Sequence, residues 1–340
     1  MKPNYQAWQI DFGEFDRQTN QTGQLRFLLK FAVLASSSHN SQPWKFQIAP
    51  GKIYLLPDFD RALPHSDQNH RQLFISLGCA LENLLVAADY YGFETSWVYQ
   101  ETDYAIEVSL NRVREHAGND AHLVFAIPKR HTNRNKYLEK LPDESFLTKL
   151  KNYSIPNSEI SFIKDKETKN KIAEIVSEAL TAAMDDKLFR RELSEYLKPN
   201  ITDSPVGMPA SGFGIPTPVS LVASTLIRYI NMNKLTKKQD TELLKEHTPV
   251  FGIISTSQDN IKFWIEAGKL YQKIALSAEQ EGLKTAPMAA AIQIGDFYKE
   301  LQQTLQIMQR PQVFFRIGYS SKQTQPTPRI FAEELVILER

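Results

Sequence analysis

Apolar residues along this chain follow two periods. From Phe74 to Ala88 they recur at three- and four-residue spacing, which predicts a helix with a wide buried face, and Gly92 follows as a left-handed stop. Trp264 to Ala278 repeats the arrangement and ends at Gly282. Trp44-Lys45-Phe46-Gln47-Ile48 alternates instead, which predicts a half-buried strand, and the apolar stretch Leu28 to Ala35 before it reads as the end of another helix. Two runs of aliphatic and aromatic residues, His122 to Ile127 and Gln312 to Ile317, are further strand candidates.

The two helix patterns superpose without gaps at a constant offset. Gly78 falls on Gly268, Leu84 on Ile274, Ala88 on Ala278, Gly92 on Gly282 and Thr95 on Thr285, and the same offset carries His122–Ile127 onto Gln312–Ile317. Amphipathic helices share alanines, leucines and glycines by chance; a strand sharing the offset argues for duplication. The expected fold class is α+β, with a first repeat over 1–128 and a second over 129–340 paired about an internal pseudo-two-fold axis. The Pro/Gly-rich run Ser204 to Pro216 fits neither repeat and predicts a long loop, a lid candidate near 203–218.

With 340 residues, 42% hydrophobic and 23% charged, the chain has the composition of an ordinary globular protein. A net charge of +1 supplies no field for nucleic acid or anionic lipid, so neither is expected as a partner, and any phosphate must be held by local arginines. No unbroken apolar stretch has the length of a membrane span, and Met1 to Tyr5 opens without an apolar leader. Cys79 is the only cysteine, which excludes an internal disulfide framework and fits a reducing compartment. Together these predict a cytoplasmic protein.

Candidate chemistry concentrates in three stretches. Ser36-Ser37-Ser38-His39-Asn40-Ser41-Gln42-Pro43-Trp44-Lys45-Phe46 gathers hydroxyls and carboxamides that donate and accept, as a ligand rich in ring nitrogens and carbonyls requires. Read alone, such a turn also satisfies its own backbone. Arg130-His131-Thr132-Asn133-Arg134 places two guanidiniums and a hydroxyl at alternate positions, on one face if extended, which is either an anion clamp or a solvated basic strand end. Gly282-Leu283-Lys284-Thr285-Ala286-Pro287-Met288-Ala289-Ala290 is, on local chemistry, a helix-to-strand turn.

The order Ser-Ser-x-Asn-x-Gln-Pro-Trp-x-Phe resembles the flavin-contacting turn of the nitroreductase family of FMN-dependent oxidoreductases. Arg-x-Thr-x-Arg, followed by Leu141-Pro142-Asp143-Glu144-Ser145, is similar to the start of a subunit of that family, with Pro142 early in the helix. Subunits of the family pair so that residues of both form each FMN site, and this chain looks like two of them fused, most similar to the Acg-type branch, in which a segment obstructs access to the site. The resemblance implies that Ser36, Ser37, Ser38, Asn40 and Gln42 contact flavin, that Arg130 and Thr132 hold phosphate and ribityl, and that Arg134 sits near N1 and O2. It further implies Pro287 and Met288 along the ring, the backbone of Ala289 and Ala290 near N5, and Arg329 of Thr327-Pro328-Arg329 on the phosphate.

The first half has only Phe15-Asp16-Arg17-Gln18-Thr19 where a clamp belongs, and the second half lacks the Asn-x-Gln-Pro-Trp turn, so one site assembled across the halves is expected. Such a chain is expected as a monomer, an internal pseudo-dimer, rather than an obligate homodimer. The family implies ping-pong hydride transfer through flavin N5, with NAD(P)H as transient reductant and a small electron-poor acceptor, nitroaromatic or quinone-like, and no side-chain acid or base. A lidded FMN storage or sensing protein and a scaffold that has lost FMN are the alternatives. His65 and His70 have a spacing a metal uses but no third ligand, so no metal is expected; Arg71 beside them is within reach of the pocket.

Overall fold

In the computed structural model, which describes residues 2–113, 118 and 120–337, two long helices meet at two glycines. The elements before that meeting are α1 (Gln21–Ala32), β1 (Trp44–Ala49), β2 (Lys52–Pro57), α2 (Arg71–Tyr90), β3 (Phe93–Gln100) and β4 (Ala105–Arg112). After them come α3 (Glu144–Lys151), β5 (Ser158–Ile163), α4 (Lys166–Asp185), α5 (Lys187–Tyr196), β6 (Leu197–Lys198), β7 (Met208–Pro209), α6 (Thr217–Tyr229) and α7 (Asn233–Glu246). The chain continues with β8 (Val250–Thr256), α8 (Ile261–Gln280), β9 (Leu283–Pro287), α9 (Ala290–Gln293), α10 (Phe297–Leu305) and β10 (Arg310–Tyr319).

The duplication is visible in the topology. One antiparallel sheet has the order β1-β2-β4-β3 with α2 between its second and third strands in sequence; the other has β5-β8-β10-β9 with α8 in the same place. α2 and α8 pack against each other at the centre. A Cβ on Gly78 would come within 2.1 Å of the Ile265 carbonyl oxygen, and one on Gly268 within 2.0 Å of the Ile75 carbonyl oxygen. Both contacts join positions related by the sequence offset, so a pseudo-two-fold axis passes between the glycines. Gly92 and Gly282 end the two helices with φ of +81° and +72°, as their sequence positions predict.

The first sheet buries one face, through Trp44, Phe46 and Ile48 of β1 and Ile106, Val108 and Leu110 of β4. The second is covered on both: Val313, Phe315 and Ile317 of β10 face the central core, while Phe314 faces a second core with α4, α9 and α10. α2 is long and apolar enough in composition to cross a membrane, and nearly all of its residues are buried in the central core.

Three sequence expectations change. Residues Ala121–Ala126 form a 3-10 helix rather than a strand. The counterpart of β10 is β4, and the offset that relates α2–β3 to α8–β9 ends there because α9 and α10 intervene between β9 and β10, where a four-residue turn joins β3 to β4. Pro142 lies outside α3, whose first residue is Glu144 with Asp143 as its N-cap. The tail after β10 also recrosses to the first half: Val336 bridges to Phe46 and the Ile337 amide donates to the Phe46 carbonyl at 2.8 Å.

Candidate functional site

The Ser/Asn/Gln turn leaves α1 and is held in an unusual backbone path. His39, Asn40 and Gln42 have φ of +50°, +54° and +53°. Asn and His adopt this left-handed region more readily than Gln does, and such a path persists only where the surroundings over-determine the conformation. Here they do. Asn40 Nδ2 donates to the carbonyls of Gly207 (3.0 Å) and Pro328 (2.9 Å). Gln42 Nε2 donates to the Pro205 carbonyl (2.8 Å), while its Oε1 accepts from the Ile330 amide (3.0 Å).

Opposite the turn, the segment around Thr132 runs beside β9, bridging Thr132 to Thr285 and donating the Asn133 amide to the Thr285 carbonyl. This extended path puts Arg130, Thr132 and Arg134 on one cavity, together with Ser36, Ser37, Asn40 and Arg329. Seven of the residues singled out in the sequence therefore converge, three from the first half and four from the second. Arg329 Nη1 donates to Asn40 Oδ1 and Thr327 Oγ1, both at 2.5 Å, and its Nη2 to the Ala35 carbonyl at 3.0 Å. Its guanidinium stacks on Trp8, 4.8 Å from the ring centroid.

The electrostatics of the cavity are one-sided. Arg130 and Arg329 are almost fully buried, and neither they nor Arg134 pairs with a carboxylate among the described residues. Among the described residues Arg130 makes one side-chain bond, Nη2 to the Leu34 carbonyl at 3.1 Å, and its buried Nε and Nη1, like Arg329 Nε, find no partner there. Burial, followed by the neighbouring guanidiniums, holds Arg329 well below its ordinary pKa and brings Arg134 to about 10. Burial also pushes His131 down to about 3 and His39 to about 4, with arginine neighbours adding to both shifts, so both rings are neutral near pH 7. A buried cation without an anion costs several kcal/mol, and the donor set here is complementary to a phosphate.

The cavity is small because one segment closes it. Pro205 and Gly207 supply the carbonyls that occupy Gln42 and Asn40, Met208 lines the cavity and accepts from Arg134 Nη2 at 3.7 Å, and Phe213 lies 4.6 Å from the Arg134 guanidinium. The enclosed volume is ≈ 40 Å³, against the ~300–1,000 Å³ of pockets that take a cofactor-sized ligand. The donors present suit a phosphate such as the one that ends FMN, and a cavity of this size does not hold its ring.

No family model matches the chain. The putative NAD(P)H nitroreductase Rv3131 of Mycobacterium tuberculosis strain H37Rv is 22% identical over 328 residues, covering 92% of this chain and 89% of the relative. Over nearly its whole length the chain is similar to this nitroreductase relative. Among solved structures, the FMN- and NADPH-dependent nitroreductase NfnB of a Sphigopyxis strain is similar over 64% of this chain and 99% of its own, at 15% identity and a TM-score of 0.44.

Not every residue expected from the nitroreductase resemblance reaches the cavity. Ser38 Oγ turns to Gln72 Oε1 at 3.4 Å, and the Gln42 side chain is spent on Pro205 and Ile330. Pro287 pairs with Phe315, the Met288 amide donates to the Phe314 carbonyl, and Met288 and Ala290 pack on the second core, so Pro287, Met288, Ala289 and Ala290 lie outside the cavity lining. Arg71 donates to the Ile292 carbonyl at 2.8 Å rather than entering the cavity. Sequence reasoning missed Trp8, His131, Met208, Gln325 and Thr327 as lining residues. His131 sat inside the quoted clamp, and alternation alone assigned it to the wrong face; Met208 lay in the Ser204–Pro216 run and Thr327 two residues before Arg329, whereas nothing local marks Trp8 or Gln325.

Proposed function

We propose that this chain is an FMN-dependent NAD(P)H oxidoreductase of nitroreductase type with one site per chain, built across its halves and needing no residue from another subunit. The observation that carries the proposal is the trio Arg130, Arg134 and Arg329 around one cavity, with buried N–H groups on Arg130 and Arg329 that no carboxylate among the described residues satisfies. Arg130, Arg329 and Thr132 would hold the phosphate, and Arg134, beside the Ser/Asn turn, the pyrimidine edge. FMN, when bound, supplies hydride acceptance at N5 from NAD(P)H and delivery to an electron-poor acceptor. The protein contributes fixed cations that favour the anionic reduced ring, and a closed surface that excludes water. Among known arrangements, the closing segment fits an Acg-like twin.

The bonds from Asn40 and Gln42 to that segment favour one second reading, a protein that holds FMN with little turnover. A single experiment separates them: add FMN, desalt, and record the visible spectrum before and after anaerobic NADH or NADPH. Flavin retained at about one per chain that bleaches supports the oxidoreductase. Flavin that stays yellow supports the holding role, and colourless protein overturns both.

A further inference from the structure

The 3-10 helix Pro3–Trp8 lies against both the tail that carries Arg329 and the approach to the closing segment. Asn4 is buried. Its backbone carbonyl accepts from the Arg329 amide at 2.9 Å, and its Nδ2 donates to the carbonyls of Thr202 (3.2 Å) and Ser204 (3.1 Å). Lys2, just ahead of the arm, adds an ion pair to Asp203 at 3.1 Å. At the other end, Trp8 Nε1 donates to the Thr327 carbonyl at 2.8 Å, while its ring carries the Arg329 guanidinium and meets the His131 ring edge-on at 4.8 Å. With the Pro328 carbonyl taken by Asn40, the backbone of Thr327-Pro328-Arg329 is held at every residue, twice by this arm.

We propose that Trp8 is the positioning residue of Arg329 and that Asn4 anchors it in that role. A buried guanidinium without a carboxylate needs stabilisation that neither consumes the N–H groups an anion would use nor cancels the charge that attracts it. A carboxylate does both. An aromatic face does neither, and indole is the strongest such face. Stacking also fixes the plane of the guanidinium, so that Nε, which has no partner among the described residues, keeps one direction. Trp8 and Arg329 line the same cavity, one reaching it from the first half and the other from the second. The inference rests on the reading of that cavity as a phosphate site, and adds that the arm, through Asn4, ties the placement of the arginine to the chain just ahead of the closing segment.

The test is the affinity of the full-length protein for FMN and for riboflavin, by flavin fluorescence quenching, in the wild type, Trp8→Leu, Trp8→Phe, Arg329→Met and the double variant Trp8→Leu/Arg329→Met. Riboflavin has the same ring and no phosphate, so a residue that acts through Arg329 moves only FMN. Trp8→Leu should weaken FMN binding roughly tenfold, Trp8→Phe, which keeps a ring face, roughly threefold or less, and neither should move riboflavin. Beside Arg329→Met, Trp8→Leu should cost nothing further, because the guanidinium it serves is gone. Unchanged FMN affinity in Trp8→Leu, equal losses for both flavins, no rescue by Trp8→Phe, or a full loss persisting beside Arg329→Met overturns the inference and leaves the phosphate reading standing. A wild type that binds neither flavin, or does not prefer FMN to riboflavin, overturns that reading and the inference with it. Far-UV circular dichroism establishes that each variant is folded. If Trp8→Leu does not fold, Asn4→Ala decides: it keeps the ring but releases the arm from Thr202 and Ser204, and FMN affinity should fall with riboflavin unchanged. No loss there, or equal losses for the two flavins, overturns the inference.

Discussion

Arg130 and Arg329, from opposite ends of the second half, donate to the same backbone oxygen, that of Leu34 in the first half, at 3.1 and 3.5 Å. Two guanidiniums held on one carbonyl lie close enough for a single phosphate to bridge them. Burial first, and then the charge of Arg130, hold Arg329 below its ordinary pKa, and such an anion would offset both.

Opposite signs are therefore expected for Arg130→Met in two assays. FMN affinity, followed by flavin fluorescence quenching, should fall roughly 10- to 100-fold with the loss of about 1.5–3 kcal/mol of charge-assisted bonding. The flavin-free protein should melt at the same temperature or higher, because a buried cation with two unpartnered N–H groups has been removed. A flavin-free variant that melts well below wild type would show that Arg130 is structural.

Gly207 sits within the closing segment and leaves no space for a side chain. Its φ is +95°, and a Cβ there would come within 2.6 Å of the Tyr196 carbonyl oxygen, so Gly207→Ala should displace the segment at a cost of about 1–3 kcal/mol. Stopped-flow fluorescence should record faster FMN association for the variant than for wild type. Equal rates would mean that the segment does not limit entry.

At the helix crossing there is no room for adjustment, since the atoms a Cβ would meet are backbone. Gly78→Ala and Gly268→Ala should each destabilise by roughly 3 kcal/mol or more, read as a lowered midpoint in urea. The pseudo-symmetry predicts similar losses for the two; a silent substitution at either would contradict the close approach.

The pH dependence follows from His39 and His131, held neutral in the folded protein at about 4 and about 3 but titrating near 6.5 when unfolded. Below pH 6.5 the unfolded chain binds more protons, so stability is full above that value and falls between pH 6.5 and about 4, by up to about 1.4 kcal/mol per pH unit for each histidine. Melting of the flavin-free protein across this range should show the acid loss, and His131→Phe should flatten it. An unchanged acid limb in that variant would assign the loss to other groups.

What the sequence made legible was chemistry carried by contiguous residues. The Ser36–Gln42 turn, the Arg130–Arg134 clamp and the glycine-ended helices each announce themselves within about twenty positions, and the constant offset tied the two helices together. His122–Ile127 was misread because five apolar residues in six satisfy a short helix as well as a strand, and length could not arbitrate. The insertion of α9 and α10 then let a false strand match fall on the true offset. Pro287–Ala290 lie outside the cavity lining for another reason: β9 hydrogen-bonds to β10 as far as Pro287, which carries the following residues onto the second core. The occupation of Asn40 and Gln42 by carbonyls about 165 positions away, and the arrival of Trp8 beneath Arg329, are tertiary facts with no local signature.

The crossing of α2 and α8 also changes what dilution does to this protein. Where two separate chains meet at such a crossing, folding and assembly are one concentration-dependent equilibrium, and partners exchange. Here both glycines belong to one covalent chain, so their encounter is intramolecular at every dilution. The stability of the central core is then a first-order property, and a substitution placed in one half never meets itself in the other.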